Sequence, residues 1–470
     1  MPSLVPIRVA PGGRYFETLD SEPFLFIGAN DAVTWPGLAG LYRRRDLEGV
    51  EAYLLALRES GITVLRLMLE YSQTEGRYFE RPAGSFNPAM VRLWDDLLER
   101  CERAGLRVLL APWDNFWMAR RWPRHPYARE QGGPAGSPQA FFTDPAVIAA
   151  TERRLRFVVE RWGGSGVIAA WDLFNEIHPH WGGTPAQQGE VIGRLSSAVR
   201  EAEQEMHGFT RPQTVSIFGP CPEEHQEDLI FRHPSLDFAT THIYEGAIDN
   251  PTDTVAPAVT MGRWVRHALS RMAPGRPFTD SEHGPIHLFN NKRRMLDEAF
   301  DDEYERHLMW AHLASGGAGS GMRWPARNPH VLTEGMRRSL GSLASFTRLL
   351  EWRHFTPRDA TTDLVLGSSE LLPFGCRDER QALLWLLRDR PAGTSGVLPE
   401  RGPLVGVPCC VRAFPPGNYL VTAWSTRHGS EVGRIPAVVA ADGQLRVTLP
   451  PFQNDLALAV RPAQSGDPPA

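Results

Sequence analysis

The feature that most constrains this chain is a repeated alternation of strand-like and helix-like segments. Eight short apolar runs recur over residues 1–355: FLFIGAN (24–30), ITVLRLML (62–69), LRVLLAPW (106–113), VIAAWDLFNE (167–176), TVSIFG (214–219), LDFATTHIY (236–244), RPFTDSE (276–282) and AGSGMRW (318–324). Most are continuously apolar, as expected of parallel strands buried on both faces. Amphipathic stretches separate them. DLEGVEAYLLALRESG (46–61) repeats apolar side chains every three to four positions and stops at Gly61. NPAMVRLWDDLLERCERAG (87–105) carries Pro88 at its start and Gly105 at its end, and DPAVIAATERRLRFVVERWGG (144–164) follows the same plan. Eight such units predict an α/β fold, a (β/α)8 TIM barrel. The fifth strand and the short helix after it carry the weakest pattern.

The long irregular stretches fall after strands, at 70–87, 113–143, 177–186, 244–253 and 283–298. Post-strand loops build the active-site face of such a barrel, so this asymmetry already points to a site. From about residue 360 the texture changes to short runs separated by turns such as PPGN and ADGQ. That spacing predicts a small C-terminal antiparallel β-sandwich domain over 360–470, after a barrel spanning 1–355.

Composition narrows the chemistry. The net charge of −5 offers no basic field, so no nucleic-acid partner is expected. No run is long and apolar enough to span a membrane, and the N-terminus lacks a signal-peptide pattern, so a cytoplasmic location is expected. Homo-oligomerisation is left open. The five cysteines form no CxxC, so no structural zinc site or disulfide framework is expected. Lys292 is the only lysine among the 50 basic residues. A Schiff-base aldolase needs a lysine inside the barrel, and Lys292 lies on a loop past the seventh strand. The 14 tryptophans hint at a surface that holds something flat.

Two motifs carry chemistry. Asn175-Glu176 ends the fourth strand, and Glu282-His283-Gly284 ends the seventh. Two carboxyls facing each other across a barrel mouth are what glycoside hydrolysis needs: one protonates the leaving oxygen, the other attacks the sugar carbon or activates water. With Arg66 on the second strand, His242-Ile243-Tyr244 on the sixth and Trp324 on the eighth, the chain resembles the clan A glycoside hydrolases, and family 5 within them. The resemblance covers residues 20–350. FIGAN with Trp35, and Trp113-Asp114-Asn115 on the third strand, resemble the β-mannanase and β-mannosidase branches.

The resemblance implies roles. Glu176 would be the acid/base and Glu282 the nucleophile of a retaining mechanism. Arg66, Asn175, His242, Tyr244, Trp324, Trp113, Asp114, Asn115, Trp35 and His283 would bind substrate or support these two, with no cofactor and no metal. Arg66 and Tyr244 near Glu282 would favour its ionised form, whereas Glu176 has no evident cation partner and can keep a proton. His283 departs from the family pattern, where an aromatic is more usual. Asp280, two residues before Glu282, is a rival nucleophile. Arg323 either reads a substrate substituent or pairs with a carboxylate.

Plain packing competes with sugar contact at Trp35, Trp113, Trp117, Trp181 and Trp324, and loop ordering competes at Asp114 and Asn115. His178 and His180 flank Pro179 as sugar contacts or packing groups, with metal ligation a minor reading. Gly316-Gly317-Ala318-Gly319-Ser320-Gly321 lacks the lysine of a phosphate loop and reads as close backbone packing. The leading function is a retaining β-glycoside hydrolase acting on β-mannan, manno-oligosaccharides or related β-linked glycans. The alternatives are an exo-acting β-glucosidase or β-galactosidase of the same clan, and a non-catalytic carbohydrate-binding protein.

Overall fold

The computed structural model describes residues 3–70, 77–177, 181–244, 253–285, 296–325, 329–389 and 396–468. Eight parallel strands form the barrel: β1 (Phe26–Asn30), β2 (Val64–Met68), β3 (Arg107–Ala111), β4 (Ile168–Asp172), β5 (Gln213–Thr214), β6 (Ala239–Ile243), β7 (Phe278–His283) and β8 (Gly319–Arg323). Their order is 5-4-3-2-1-8-7-6. Asp237 N donating to Gln213 O at 2.9 Å, and His242 N to Ile217 O at 3.0 Å, close the ring between β5 and β6. Every residue of these strands is buried, which is why the runs read as apolar without alternation.

A helix returns the chain from each strand to the next: α1 (Leu47–Glu59), α2 (Pro88–Ala104), α3 (Pro145–Trp162, preceded by the short helix Asn115–Arg120), α4 (Pro185–His207), α5 (Glu227–Ile230), α6 (Val255–Arg271) and α7 (Glu298–Ala314), with α8 (Glu334–Phe346) after the last strand. Local sequence sets their ends. Asn87 and Asp144 cap α2 and α3 through their side chains, each with proline in the first turn. Gly105 ends α2 in the left-handed conformation, φ 73°. An N-terminal three-stranded antiparallel sheet packs on the start of β1, with Phe16 stacked 4.4 Å from Phe26.

The fifth segment departs from expectation. Regular pairing covers only Gln213–Thr214, not 214–219, and α5 is a single turn. Beyond Thr214 the backbone stays attached to the β4 extension irregularly, with Ile177 N donating to Ser216 O at 2.8 Å. The glycine run into β8 is close packing, as its composition implies. A Cβ on Gly319 would lie 2.0 Å from Phe26 O, and one on Gly321 (φ 68°) would lie 2.1 Å from an Asp280 oxygen.

The C-terminal region is a sandwich of two antiparallel sheets. Six strands run in the order Arg358–Asp359, Leu371–Arg377, Ala382–Arg388, Asp455–Pro462, Gly417–Ser425, Ser430–Val439; three more are Leu364–Leu366, Pro408–Val411 and Leu445–Thr448. Besides the two-residue Arg358–Asp359, the short apolar runs of the sequence do not mark Leu371–Arg377 or Ser430–Val439. Each contains a proline and a glycine, tolerated because Pro436 lies on the edge strand and Pro373 lies beyond the two-residue neighbour that pairs only with Cys376 and Arg377. All five cysteines are free. No described helix is long and apolar enough to cross a membrane.

One continuous apolar cluster runs from the barrel into the sandwich through Phe374, Leu383, Trp385, Trp424 and Ala457. Trp385 is fully buried there, and its indole donates to Asp455 Oδ2 at 3.1 Å. A shared core predicts one cooperative transition in urea for both units. Trp385→Ala is expected to cost about 3–5 kcal/mol. Separate barrel and sandwich transitions in the wild type would contradict this coupling.

Candidate active site

The carboxyl ends of β1, β2, β4, β6, β7 and β8 converge on one buried network. Arg66, on β2, is fully buried, and burial alone would lower its pKa. Two carboxylates prevent that. Its guanidinium donates to Asp172 Oδ2 at 2.6 Å and to Glu282 Oε1 at 2.5 Å. It also reaches Asn175 Oδ1 at 2.6 Å, Asn30 Oδ1 at 3.1 Å and Ser216 Oγ at 3.3 Å. Asn30 in turn donates to Ser281 O at 2.8 Å and Met322 O at 3.1 Å, tying β1 to β7 and β8.

Glu282 is therefore gripped at both oxygens, since the Tyr244 hydroxyl donates to Oε2 at 2.5 Å. Burial raises its carboxyl above the usual range, opposed by the Arg66 charge and the Tyr244 hydrogen bond. A break in the register between Asp280 and Glu282 turns apart two side chains of β7 that would otherwise share a face.

Glu176 stands in a different environment. Its backbone takes the left-handed conformation, φ 54°, uncommon for a residue with a side chain. Its N–H donates to Ser216 Oγ at 3.1 Å. Among the described residues, the closest polar neighbour of its carboxyl is His242, with Nδ1 2.8 Å from Oε1. The same Nδ1 lies 3.5 Å from Glu282 Oε2, so the imidazole stands between the two carboxyls. Burial lowers His242 to about 4, leaving it neutral, and raises Glu176 to about 7. One oxygen from each glutamate and a His242 nitrogen lie within 4.8 Å of one another. That spacing would admit a cation, but both Glu282 oxygens are engaged and the Arg66 charge repels a second one.

The aromatic residues divide. Trp35, Met68, Ala111 and Trp324 form a small apolar cluster at the strand ends, joined by Trp117 and Tyr244. Trp35 meets Trp324 edge-on at 5.0 Å and stacks on His330 at 4.6 Å. Trp113 does not join them. It is buried in the main core against Tyr127 (4.5 Å) and Phe141 (4.8 Å), with Arg154 over its ring, so its substrate-binding assignment is withdrawn. Trp181 is likewise core.

His283 is also corrected. It points behind the site wall, with Nδ1 3.0 Å from Asp280 and Nε2 3.0 Å from Glu305 of α7. Burial opposes its charge, but these two carboxylates raise it to about 9. Both Asp280 oxygens face this ring, which removes Asp280 as a nucleophile. Arg323 pairs with Asp301 and faces Glu305 in the same layer, so it braces the wall and does not read substrate.

Asp114 orders its neighbours. It caps the short helix Asn115–Arg120 and accepts from Asn175 Nδ2 at 2.9 Å, and burial raises it to about 7. Asn115 is fully buried at the start of that helix, with neither amide atom hydrogen-bonded, out of reach of a sugar. His178, His180 and Lys292 lie outside the described residues. Sequence reasoning missed Asp172, Ser216 and Asn30. A signal existed for the first: an aspartate and an arginine inside apolar strands must find each other.

No protein-family model matches the chain. It is 24% identical over 233 residues to mannan endo-1,4-beta-mannosidase 1 of Oryza sativa subsp. japonica, covering 44% of this chain and 52% of that protein. It is 24% identical over 292 residues to a probable mannan endo-1,4-beta-mannosidase A of Aspergillus oryzae, covering 57% and 69%. The chain thus spans about half the length of the rice relative. A glycoside hydrolase family 5 structure from Bacteroides vulgatus superposes with a TM-score of 0.61 at 13% identity, covering 99% of this chain and 97% of that one. A family 5 mannosidase from Rhizomucor miehei gives 0.52 at 15% identity, covering 69% and 86%. In fold the chain is similar to family 5 glycoside hydrolases, and its sequence relatives are mannan endo-1,4-beta-mannosidases.

Proposed function

We propose that the chain is a retaining β-glycoside hydrolase acting on β-mannan or manno-oligosaccharides, with Glu176 as acid/base and Glu282 as nucleophile. The observation that carries this reading is the approach of the two carboxyls, with one oxygen of each within 4.8 Å. Retaining enzymes hold their carboxyls about 5–5.5 Å apart, whereas inverting ones leave about 6.5–9.5 Å for a water. The sugar is inferred from the mannan-cleaving relatives.

The roles follow from the environments. Glu176, raised to about 7 by burial and with a neutral imidazole beside it, retains a proton to give to the glycosidic oxygen. Glu282, aligned by Arg66 and Tyr244, attacks the anomeric carbon as that C–O bond breaks. The ionised Glu176 then takes a proton from water. The resulting hydroxide equivalent attacks the anomeric carbon, releasing the sugar and restoring the Glu282 carboxylate. Asn175, fixed by Arg66 and Asp114, keeps one amide hydrogen to donate to the sugar 2-hydroxyl.

In a screen of aryl β-glycosides beside polymeric mannan, the mannosides and mannan are cleaved; cleavage of glucosides or galactosides alone would reject the sugar assignment. Glu282→Ala loses several orders of magnitude in kcat on every substrate, whereas Glu176→Ala is impaired least with leaving groups acidic enough to depart unprotonated. A 2-fluoromannoside labels Glu282, and a label mapped to Asp280 by mass spectrometry would refute the nucleophile assignment.

The free-enzyme kcat/KM falls as pH rises through about 7, where Glu176 gives up the proton it must donate. A flat profile from pH 6 to 9 would contradict this. Glu176→Gly is expected to lose activity on mannan yet melt no lower than the wild type, because it relieves the left-handed backbone and removes a buried carboxyl.

A further inference from the structure

Phe218, which no motif singled out, stands 47% exposed at the barrel mouth. Among the described residues it is the only aromatic among the strongly exposed large apolar side chains; the others are leucines and valines. A lone exposed apolar residue means little by itself, so the argument rests on placement. Its backbone is pinned to β6: Phe218 bridges to His242, and His242 N donates to Ile217 O at 3.0 Å. Its ring lies near-parallel to Tyr244, 6.1 Å between centroids and 28° between planes. Tyr244 in turn donates to Glu282. The exposed face is thus one ring removed from the proposed nucleophile. Gly219 follows at φ 100°, with open space where a Cβ would project, so no side chain at that position crowds the ring.

Direction comes from topology. Phe218 follows β5, beside β4, which leads into Glu176. The Trp35–Trp324 cluster comes from the ends of β1, β2, β3 and β8, across the barrel. A proton donor must touch the oxygen being released, so the departing sugar lies on the Glu176 side of the mouth. Sugar rings present apolar C–H faces that a rigid aromatic face holds at low entropic cost. We propose that Phe218 is the stacking platform for the leaving-group sugar, favouring oligosaccharides over substrates with small leaving groups. The inference rests on the hydrolase reading above and deepens it.

The test uses two substrates of the sugar that the wild type cleaves in the screen: the β-glycosyl fluoride, whose one-atom leaving group cannot reach the platform, and the β-linked trisaccharide. In Phe218→Ala, kcat/KM on the trisaccharide is expected to fall roughly tenfold, with the fluoride within about twofold of wild type. Phe218→Trp should restore the trisaccharide rate. An equal loss on both substrates would mean that the ring only braces Tyr244, which overturns the proposal, as does no loss on either. A wild type that cleaves neither substrate fails the hydrolase reading itself, and the platform falls with it.

Discussion

The site depends on one buried cation. Arg66 sits at the centre of the barrel mouth without access to water, where an unpaired charge would cost several kcal/mol or more. Its donors reach Asn30, Asp172, Asn175, Ser216 and Glu282. These partners come from β1, from β7, and from the β4 and β5 ends. Removing the guanidinium would leave Asp172 and Glu282 as uncompensated buried anions and would free Asn175. The same contact that satisfies the arginine also aims the proposed nucleophile.

The two glutamates differ through their surroundings. Glu282 receives donors at both oxygens, and Glu176 has a neutral imidazole beside one of its own. Two like carboxyls this close cannot both ionise freely, and the cation decides which one carries the charge. Glu176 also holds a left-handed backbone, a local cost of roughly 1–3 kcal/mol that persists only because Ser216 and the neighbouring strands fix the turn.

Behind the site a second buried ionic layer supports the wall. His283 and Arg323 end β7 and β8, directly after Glu282 and directly before Trp324, and they face Asp280, Glu305 and Asp301. The carboxylates of this layer come partly from α7, which also meets the sandwich, where Arg306 contacts Asp455 and Glu303 accepts from Leu398 N. The C-terminal unit thus stands behind the helix that steadies β7 and β8.

Much was legible beforehand. Continuous apolar runs, caps at Asn87 and Asp144 and the glycine stop at Gly105 are local signals, and they marked the eight barrel strands and the first helices. The fifth strand was placed, but its extent was not legible, because its segment bonds through irregular backbone and the Ser216 hydroxyl. His283 and Trp113 were misassigned for a related reason. Being next to a catalytic residue or at a strand end does not say which side of the sheet a side chain faces; a register break on β7 sets apart Asp280 and Glu282, and the packing of Tyr127 and Phe141 takes Trp113 into the core.

The sequence by itself determined the barrel, the position of the two glutamates at the carboxyl ends of β4 and β7 and the supply of one arginine to stand beside Glu282. Periodicity and strand order are one-dimensional properties, and they survive without coordinates. Only the tertiary structure decided that Asp280 faces away, that Trp35 and Trp324 line the mouth while Trp113 is core, that Asp172 holds Arg66 and that Phe218 is left exposed beside Tyr244. These outcomes depend on distances between residues far apart in the chain and on burial, which sets the charge each group can carry.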